Sequence, residues 1–426
     1  MLEMSLVSAL SIVNMLLVSR LGDGAVAVVG LTESVLILIS SLSVGLNVGS
    51  SATVSRRVGE KAPERAAVAA VQAVFLCVLL SAPLVLIGLF FPRGVLSLLG
   101  GSPAVAALGE GYMRVLLGGS TALLLVGLLG SLLRSAGAAV SSLRALLITN
   151  LASLALAPLL IWGLGPLPGL GLAGAALAAV LARCAGIGYQ LRRLTGGAER
   201  LTLRREHLRV EPAVLGAIAR LTSGALIQSL LASGSWIALI AIVSRAEPGA
   251  LPAYAIAFRL SFLVLSLSFG MSAAVAALVG QSLGAKKPER AERIVGIAGR
   301  YNLVLFGALA ATFIAAAGPL AGLFTDDPAV AGAAAACLRL SLPGFFCYAY
   351  GIVFTSALNG AGTPKTAAAG FLVCFWLLEL PLAYALIAPL GLGARGAFLA
   401  SSISFLFLTI YAALAFRRGR WKLAAV

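Results

Sequence analysis

Residues 58–66 read "VGEKAPERA" and residues 283–291 read "LGAKKPERA". The two stretches lie 225 positions apart (283 minus 58), and the same shift relates much of the surrounding chain. "GAVAVVGL" from Gly24 pairs with "GALPAYAI" from Gly249, Gly45 with Gly270, Arg114 with Arg339, and "LRSAG" from Leu133 with "LNGAG" from Leu358. A shift held over this much chain makes the protein two copies of one unit.

Composition says what the unit is made of. The chain is 60% hydrophobic and 11% charged, against about a quarter charged in soluble domains. A helix needs about 20 apolar residues to cross hydrocarbon. Apolar runs separated by charged or Gly/Pro breaks give twelve spans: 2–19, 26–54, 66–91, 111–133, 145–164, 171–191, 213–244, 251–281, 294–323, 332–357, 366–389 and 396–416. The division between the fifth and sixth, at "GLGPLPGLGLAGAA" (163–176), is the least marked. The fold class is therefore an all-α integral membrane protein of twelve transmembrane helices. An even number of spans per copy gives both halves the same orientation, a parallel repeat about an axis along the membrane normal. The expected units are a six-helix bundle over 1–191, a polar linker over 192–212 and a second bundle over 213–426.

The net charge is +16. Its basic residues fall in short clusters between apolar runs, which reads as membrane topology and not as a nucleic-acid surface. Loops on one side carry 21 Lys and Arg, whereas the other side has Arg20, Arg93, Arg245 and Arg395. The excess places both termini and the 192–212 loop in the cytoplasm, with the chain in the inner membrane. The N-terminal apolar run lacks a basic leader, so no cleavable signal peptide is expected. Cys77, Cys184, Cys337, Cys347 and Cys374 all lie in apolar runs and read as small buried hydrophobes. The single histidine, His207, sits in a polar loop, a poor basis for a metal centre or His-dependent catalysis.

Several stretches carry a family resemblance. "NMLLVSRLGDGAVAVVGLTES" (14–34), "VGEKAPERA", "NLASLALAPLLIWGLGPLPGLGLAGAAL" (150–177), "LVGQSLGAKKPERAER" (278–293) and "ALNGAGTPKTA" (357–367) occur in an order that resembles the multidrug and toxic compound extrusion (MATE) transporters. The resemblance implies two six-helix bundles and cation-driven export of organic compounds. It also implies an aspartate in the first helix and another before the proline of the fifth. This chain has Asn14 and Ala157 there.

Two carboxylates remain well inside spans: Glu33 in "VVGLTESVLILIS" and Glu379 in "FLVCFWLLELPLAYALI". Holding a charge at mid-bilayer costs roughly 2.5–3.5 kcal/mol on the mildest scale. Such a group should face a cavity or be protonated, and either state suits exchange of a cation for a substrate. The competing role is a hydrogen bond that joins helices. Pro381 follows Glu379 and bends its helix. Glu33, Glu379 and Asn14 are thus the candidate cation-coupling residues, with Glu33 standing in for the missing aspartates. Arg259, Asn150, Gln228, Tyr254 and Pro381 are the candidate substrate-cleft residues. An interhelical hydrogen bond is the alternative for the amides and the tyrosine.

The reading is a secondary active exporter of amphipathic organic compounds, exchanging them for H+ or Na+ by alternating access. Its partners are a small organic substrate and membrane lipid, with no nucleic acid; it acts as a monomer with no cofactor beyond the coupling ion. The alternative is a flippase for lipid-linked or polyprenyl-linked cargo. A membrane enzyme would need clustered polar catalytic residues at an interface, and none stand out. The orientation is testable. With Arg200→Cys as the reporter, a membrane-impermeant maleimide added to intact cells should fail to label it; efficient labelling would reverse the topology.

Overall fold

A computed structural model describes residues 20–164, 167–197, 199–246 and 250–424. Among them, ten helices are long and apolar enough to cross a membrane, and a bent pair brings the number to eleven. They coincide with expected spans two to twelve. The first span, 2–19, and with it Asn14, lies outside the described residues. Helix is what hydrocarbon demands, since no water is there to bond exposed amides. Large apolar side chains such as Leu38, Val304 and Leu377 accordingly stand exposed on helix faces. At the poorly marked break between spans five and six the described residues pair antiparallel, with Gly163 opposite Pro168 and Leu164 opposite Leu167.

The sequence repeat is also a backbone repeat. Helices Asp23–Gly59 and Leu251–Gly284 end in the same turn. Lys61 and Lys286, 225 positions apart, are the only described non-glycine residues with positive φ, at 58° and 56°. Their N–H groups donate to Val58 O and Leu283 O at 3.1 and 3.0 Å. Proline then opens the next helix at Pro63 and at Pro288, where its missing N–H costs nothing. Gly137 and Gly362 form a second matched pair, at φ 89° and 87°. Ser102 and Asp327 cap the fourth span of each half, accepting from Val105 N and Ala329 N.

Those fourth spans are both interrupted near their middle. The first breaks at Gly119, between helices Pro103–Gly118 and Ser120–Ser135. The second bends by 45° between Ser341 and Pro343. Each break packs a glycine against the sixth span of its half. A Cβ on Gly119 would meet Val180 Cγ2 at 2.4 Å, and one on Gly344 would meet Ser402 Cα at 2.4 Å. The close approach needs the missing side chain.

Packing divides the chain into two compact units, one ending at Thr222 and the other running from Ser223. The dividing point falls inside helix Pro212–Ala246, whose first turns contribute Ile218 to the N-terminal core. That core is largely aliphatic, built on Leu46, Leu124, Leu128, Leu129 and Leu132. The C-terminal core is aromatic: Phe405 stacks on Tyr348 at 4.5 Å and tilts against Phe345 at 5.7 Å. Cys184 and Cys347 depart from expectation: Cys184 is exposed and Cys347 only partly covered. Hydrocarbon solvates a thiol about as well as a protein core does, so an apolar neighbourhood within a span does not dictate burial.

The polar segment after helix Gly171–Thr195 is held to the N-terminal unit by its own side chains. Glu199 accepts from Ser141 Oγ at 2.7 Å and Arg193 Nε at 3.0 Å. Burial opposes its charge, but these hydrogen bonds and the Arg193 cation outweigh burial and hold the carboxyl below its ordinary range. Gln72, fully buried on helix Pro63–Phe90, donates to Arg209 O at 2.7 Å and accepts from Glu211 N at 3.2 Å.

At one repeat-related crossing the halves use different chemistry. In the N-terminal unit Ser51 and Ser135 share a hydrogen bond of 2.7 Å. Their counterparts are Ala276 and Gly360, where a Cβ on Gly360 would meet Ala276 O at 2.2 Å. Gly360→Ala should therefore destabilise the C-terminal unit by about 1–3 kcal/mol, read as an earlier loss of the monodisperse peak on heating in detergent. An unchanged profile would show that the two helices separate freely there.

Candidate functional site

Glu379 closes a π-helical stretch, Leu372–Glu379, that lies between helices Pro364–Phe371 and Leu380–Ile387. The cause is local. Pro381 has no N–H to give, and its ring clashes with the carbonyl four residues back, so the turn widens. Trp376 anchors the widened segment by donating its indole N–H to Leu231 O at 2.9 Å. Glu379 is 3% exposed. Ser401, on helix Gly393–Arg417, donates to its Oε1 at 2.5 Å. Tyr254 is also buried, with its ring 5.3 Å from Phe398 and 6.0 Å from Phe258. The C-terminal unit thus packs Glu379 and Tyr254 against one helix, through Ser401 and Phe398, which lie three residues apart.

Other candidates are placed apart from them. Arg259 is exposed and lines a groove of about 500 Å³ with Pro252, Phe324, Thr325 and Asp327. Pro381 faces outward and Gln228 is half-buried. In the N-terminal unit, Asn150 buries an amide Nδ2 that has no hydrogen-bond partner among the described residues. Asn14 lies outside them.

Glu33 sits about 15 Å along its helix from Asp23, at 1.5 Å per residue. Its side chain is exposed, while the neighbouring Thr32 is buried and bonds back to Val28 O at 2.7 Å. One residue near it was missed from sequence. Arg183 lies at the middle of helix Gly171–Thr195. Its helix packs on the helix of Tyr112, with Ala173 against Gly111 and Val180 against Gly119. The signal was available: "LARCAG" places a lone cation in an apolar run, which by default marks a functional position. It escaped because the basic residues were tallied by loop.

Glu64, Glu206 and His207 hold their ligand atoms within 4.8 Å of one another, a spacing that fits a metal. The hydrogen bonds argue otherwise. His207 is 4% exposed, and its Nδ1 accepts the Arg204 N–H at 3.1 Å. The ring proton therefore belongs on Nε2, which faces Glu64 Oε2 at 2.5 Å. A metal at Nε2 would break that bond and force the ring proton onto Nδ1, against the Arg204 donor. The cluster is a clasp for the linker.

The Glu379 geometry separates two variants. Glu379→Gln keeps an oxygen to accept from Ser401 and should unfold near the wild-type temperature. Ser401→Ala removes the donor from a buried carboxyl and should cost about 1–3 kcal/mol. Equal thermal stability of Ser401→Ala and wild type would mean the hydrogen bond contributes nothing.

Comparison with known proteins agrees with this architecture. The chain matches the MatE family over residues 1–159 and 225–385, so both halves take part. The FAD transporter of Shewanella oneidensis is 30% identical over 408 residues, 94% of this chain and 88% of that protein. "Probable multidrug resistance protein YoeA" of Bacillus subtilis is 25% identical over 88% of this chain and 82% of its own length. A crystal structure of MATE in the straight conformation superposes with a TM-score of 0.91 at 22% identity, covering 99% of this chain and 94% of the other. With a membrane-spanning repeat of matching backbone in each half, the chain belongs to the MatE family of multi-pass membrane transporters.

Proposed function

We propose that the protein exports amphipathic organic compounds across the inner membrane in exchange for H+ or Na+, with both termini in the cytoplasm. In this reading it works as a monomer without a cofactor and is not an enzyme. Bundles 1–191 and 213–426, joined by the 192–212 linker, carry out the alternating access. The observation that carries the coupling role is a carboxyl buried in a span at a π-helical, proline-marked break, with Ser401 as its hydrogen-bond donor.

Physical chemistry supplies a mechanism at that place. A protonated Glu379 is uncharged and rests in the apolar core against Ser401. An ionised one needs water or a cation beside it. Taking up or releasing an ion therefore requires helix Gly393–Arg417 to part from the segment around Glu379. The π-helical turn and Pro381 already relax the regular hydrogen-bond ladder there, so the helix can deform with little further loss. Glu33, exposed on its helix, would serve the N-terminal half, with Asn14 as a neutral ligand beside it.

A second reading, transport of a phosphate-bearing solute, is favoured by one finding: the 30% identical relative is a transporter of FAD, a phosphate-bearing dinucleotide; nothing comparable favours lipid-linked or polyprenyl-linked cargo.

Ethidium efflux from everted vesicles, under separately imposed pH and sodium gradients, tests the first reading. Glu379→Gln should lower gradient-driven efflux at least tenfold at normal expression. Glu33→Gln should remove the dependence on the gradient, and Asn14→Ala should weaken it in part. Undiminished efflux in Glu379→Gln would return that residue to a packing role.

A further inference from the structure

The N-terminal unit carries a cation where the C-terminal unit carries its aromatic core. The sixth spans of the two halves align at a shift of 222. Gly171 and Gly393 open them at φ 55° and 53°. Gly174 and Gly396 pack against the preceding helix, their added Cβ atoms meeting Leu160 O at 2.1 Å and Leu386 C at 3.0 Å. In this register Arg183 occupies the position of Phe405, the ring at the centre of the C-terminal core. Tyr112 and Glu33, at a shift of 225, correspond to Cys337 and Phe258. The fold does not require charge at these places, since its other copy fills them with apolar groups.

The backbone sets the three side chains at one depth. Helices Asp23–Gly59, Pro103–Gly118 and Gly171–Thr195 are even-numbered spans and start at the same membrane face. At 1.5 Å per residue, Glu33 lies about 15 Å, Tyr112 about 13 Å and the Arg183 Cα about 18 Å from that end. The Arg183 side chain runs back toward the helix start, and its Nη1 donates to Ala179 O at 2.8 Å, one turn nearer the face. Gly111 against Ala173 and Gly119 against Val180 draw the Tyr112 helix close to the Arg183 helix. Tyr112 is 8% exposed. Among the described residues, no carboxylate forms an ion pair with Arg183 and no acceptor besides Ala179 O takes its N–H groups. Asn150 adds a further donor without a partner. Contacts of Leu160 with Gly174 and of Thr149 with Gly186 fix the antiparallel register, which puts Asn150 level with residues 184–185.

A guanidinium with four N–H groups that have no partner among the described residues is an anion receptor in hydrocarbon, and its fork matches carboxylate and phosphate. We propose that Arg183, with the Tyr112 hydroxyl, forms an intramembrane anion subsite that holds the acidic group of an amphipathic substrate. The substrates would then be organic anions or zwitterions, with Glu33 left to the coupling ion. This rests on the export reading and sharpens it to a substrate class.

The test titrates purified protein in neutral detergent with carboxyfluorescein, an anion, and ethidium, a cation. Arg183→Gln should raise the carboxyfluorescein Kd at least tenfold and leave ethidium within twofold. Arg183→Lys should lie between, and Tyr112→Phe should weaken carboxyfluorescein about threefold. Carboxyfluorescein binding unchanged in Arg183→Gln, or equal loss of both dyes, overturns the subsite. Should Arg183→Gln fail to fold, Tyr112→Phe carries the test, because it deletes one hydroxyl; unchanged affinity there overturns it too. Displacement of the dye by short-chain phosphatidylglycerol at lower concentration than the dye's own Kd would assign the site to a lipid headgroup and overturn the substrate role. Arg183-dependent binding in a protein that exports neither dye from vesicles would keep the subsite and remove the export reading. Efflux with Arg183-independent binding would do the reverse.

Discussion

A backbone amide inside hydrocarbon has no water to turn to, and this one constraint orders the whole chain. It makes each span a helix and confines irregular backbone to places where another part of the protein covers it. Among the described residues such places include the break at Gly119, the 45° bend before Pro343 and the π-helical stretch at 372–379. The first two are covered by the sixth span of their own half, through glycines that admit its backbone and side chains. The third is covered by Trp376 on Leu231 and by Ser401 on Glu379. Where the helix rule is relaxed, polar chemistry has gathered.

The repeat shows what was copied and what was changed. The turns at Lys61 and Lys286, the glycines at 137 and 362, the capped starts at 102 and 327 and the interrupted fourth spans all recur. These are backbone devices, and any pair of bundles of this kind needs them. The candidate site groups Glu33, Arg183 and Glu379 do not recur. Glu379 corresponds to Leu154, Glu33 to Phe258 and Arg183 to Phe405. Each half therefore uses a common scaffold for different chemistry. The N-terminal unit holds a carboxylate, a phenol and a guanidinium at one depth, and the C-terminal unit packs a buried carboxyl and a phenol against one helix.

The polar linker belongs to the same logic. Its backbone leaves the membrane, and its amides need partners. Gln72 supplies both a donor and an acceptor to it, and His207, its tautomer set by Arg204 N, completes the clasp with Glu64. A side-chain set that looked like a metal cluster is explained once each proton is assigned.

The sequence alone determined the number and order of the spans and the parallel repeat, because bilayer thickness and hydropathy act residue by residue along the chain; the family showed only as a resemblance, in the order of a few local motifs. The sequence also singled out Glu33 and Glu379, because a carboxylate in an apolar run stands out without any structure. It did not reveal that Tyr254 and Glu379 pack against one helix, that Ser401 is the partner, or that the helices of Tyr112 and Arg183 lie against each other. Those facts depend on how each helix is rotated about its axis and which helix it meets. Rotation is decided by glycine-sized contacts such as Gly111 on Ala173 and Gly174 on Leu160, and hydropathy is blind to these, since lipid and protein are equally apolar neighbours for most of a span.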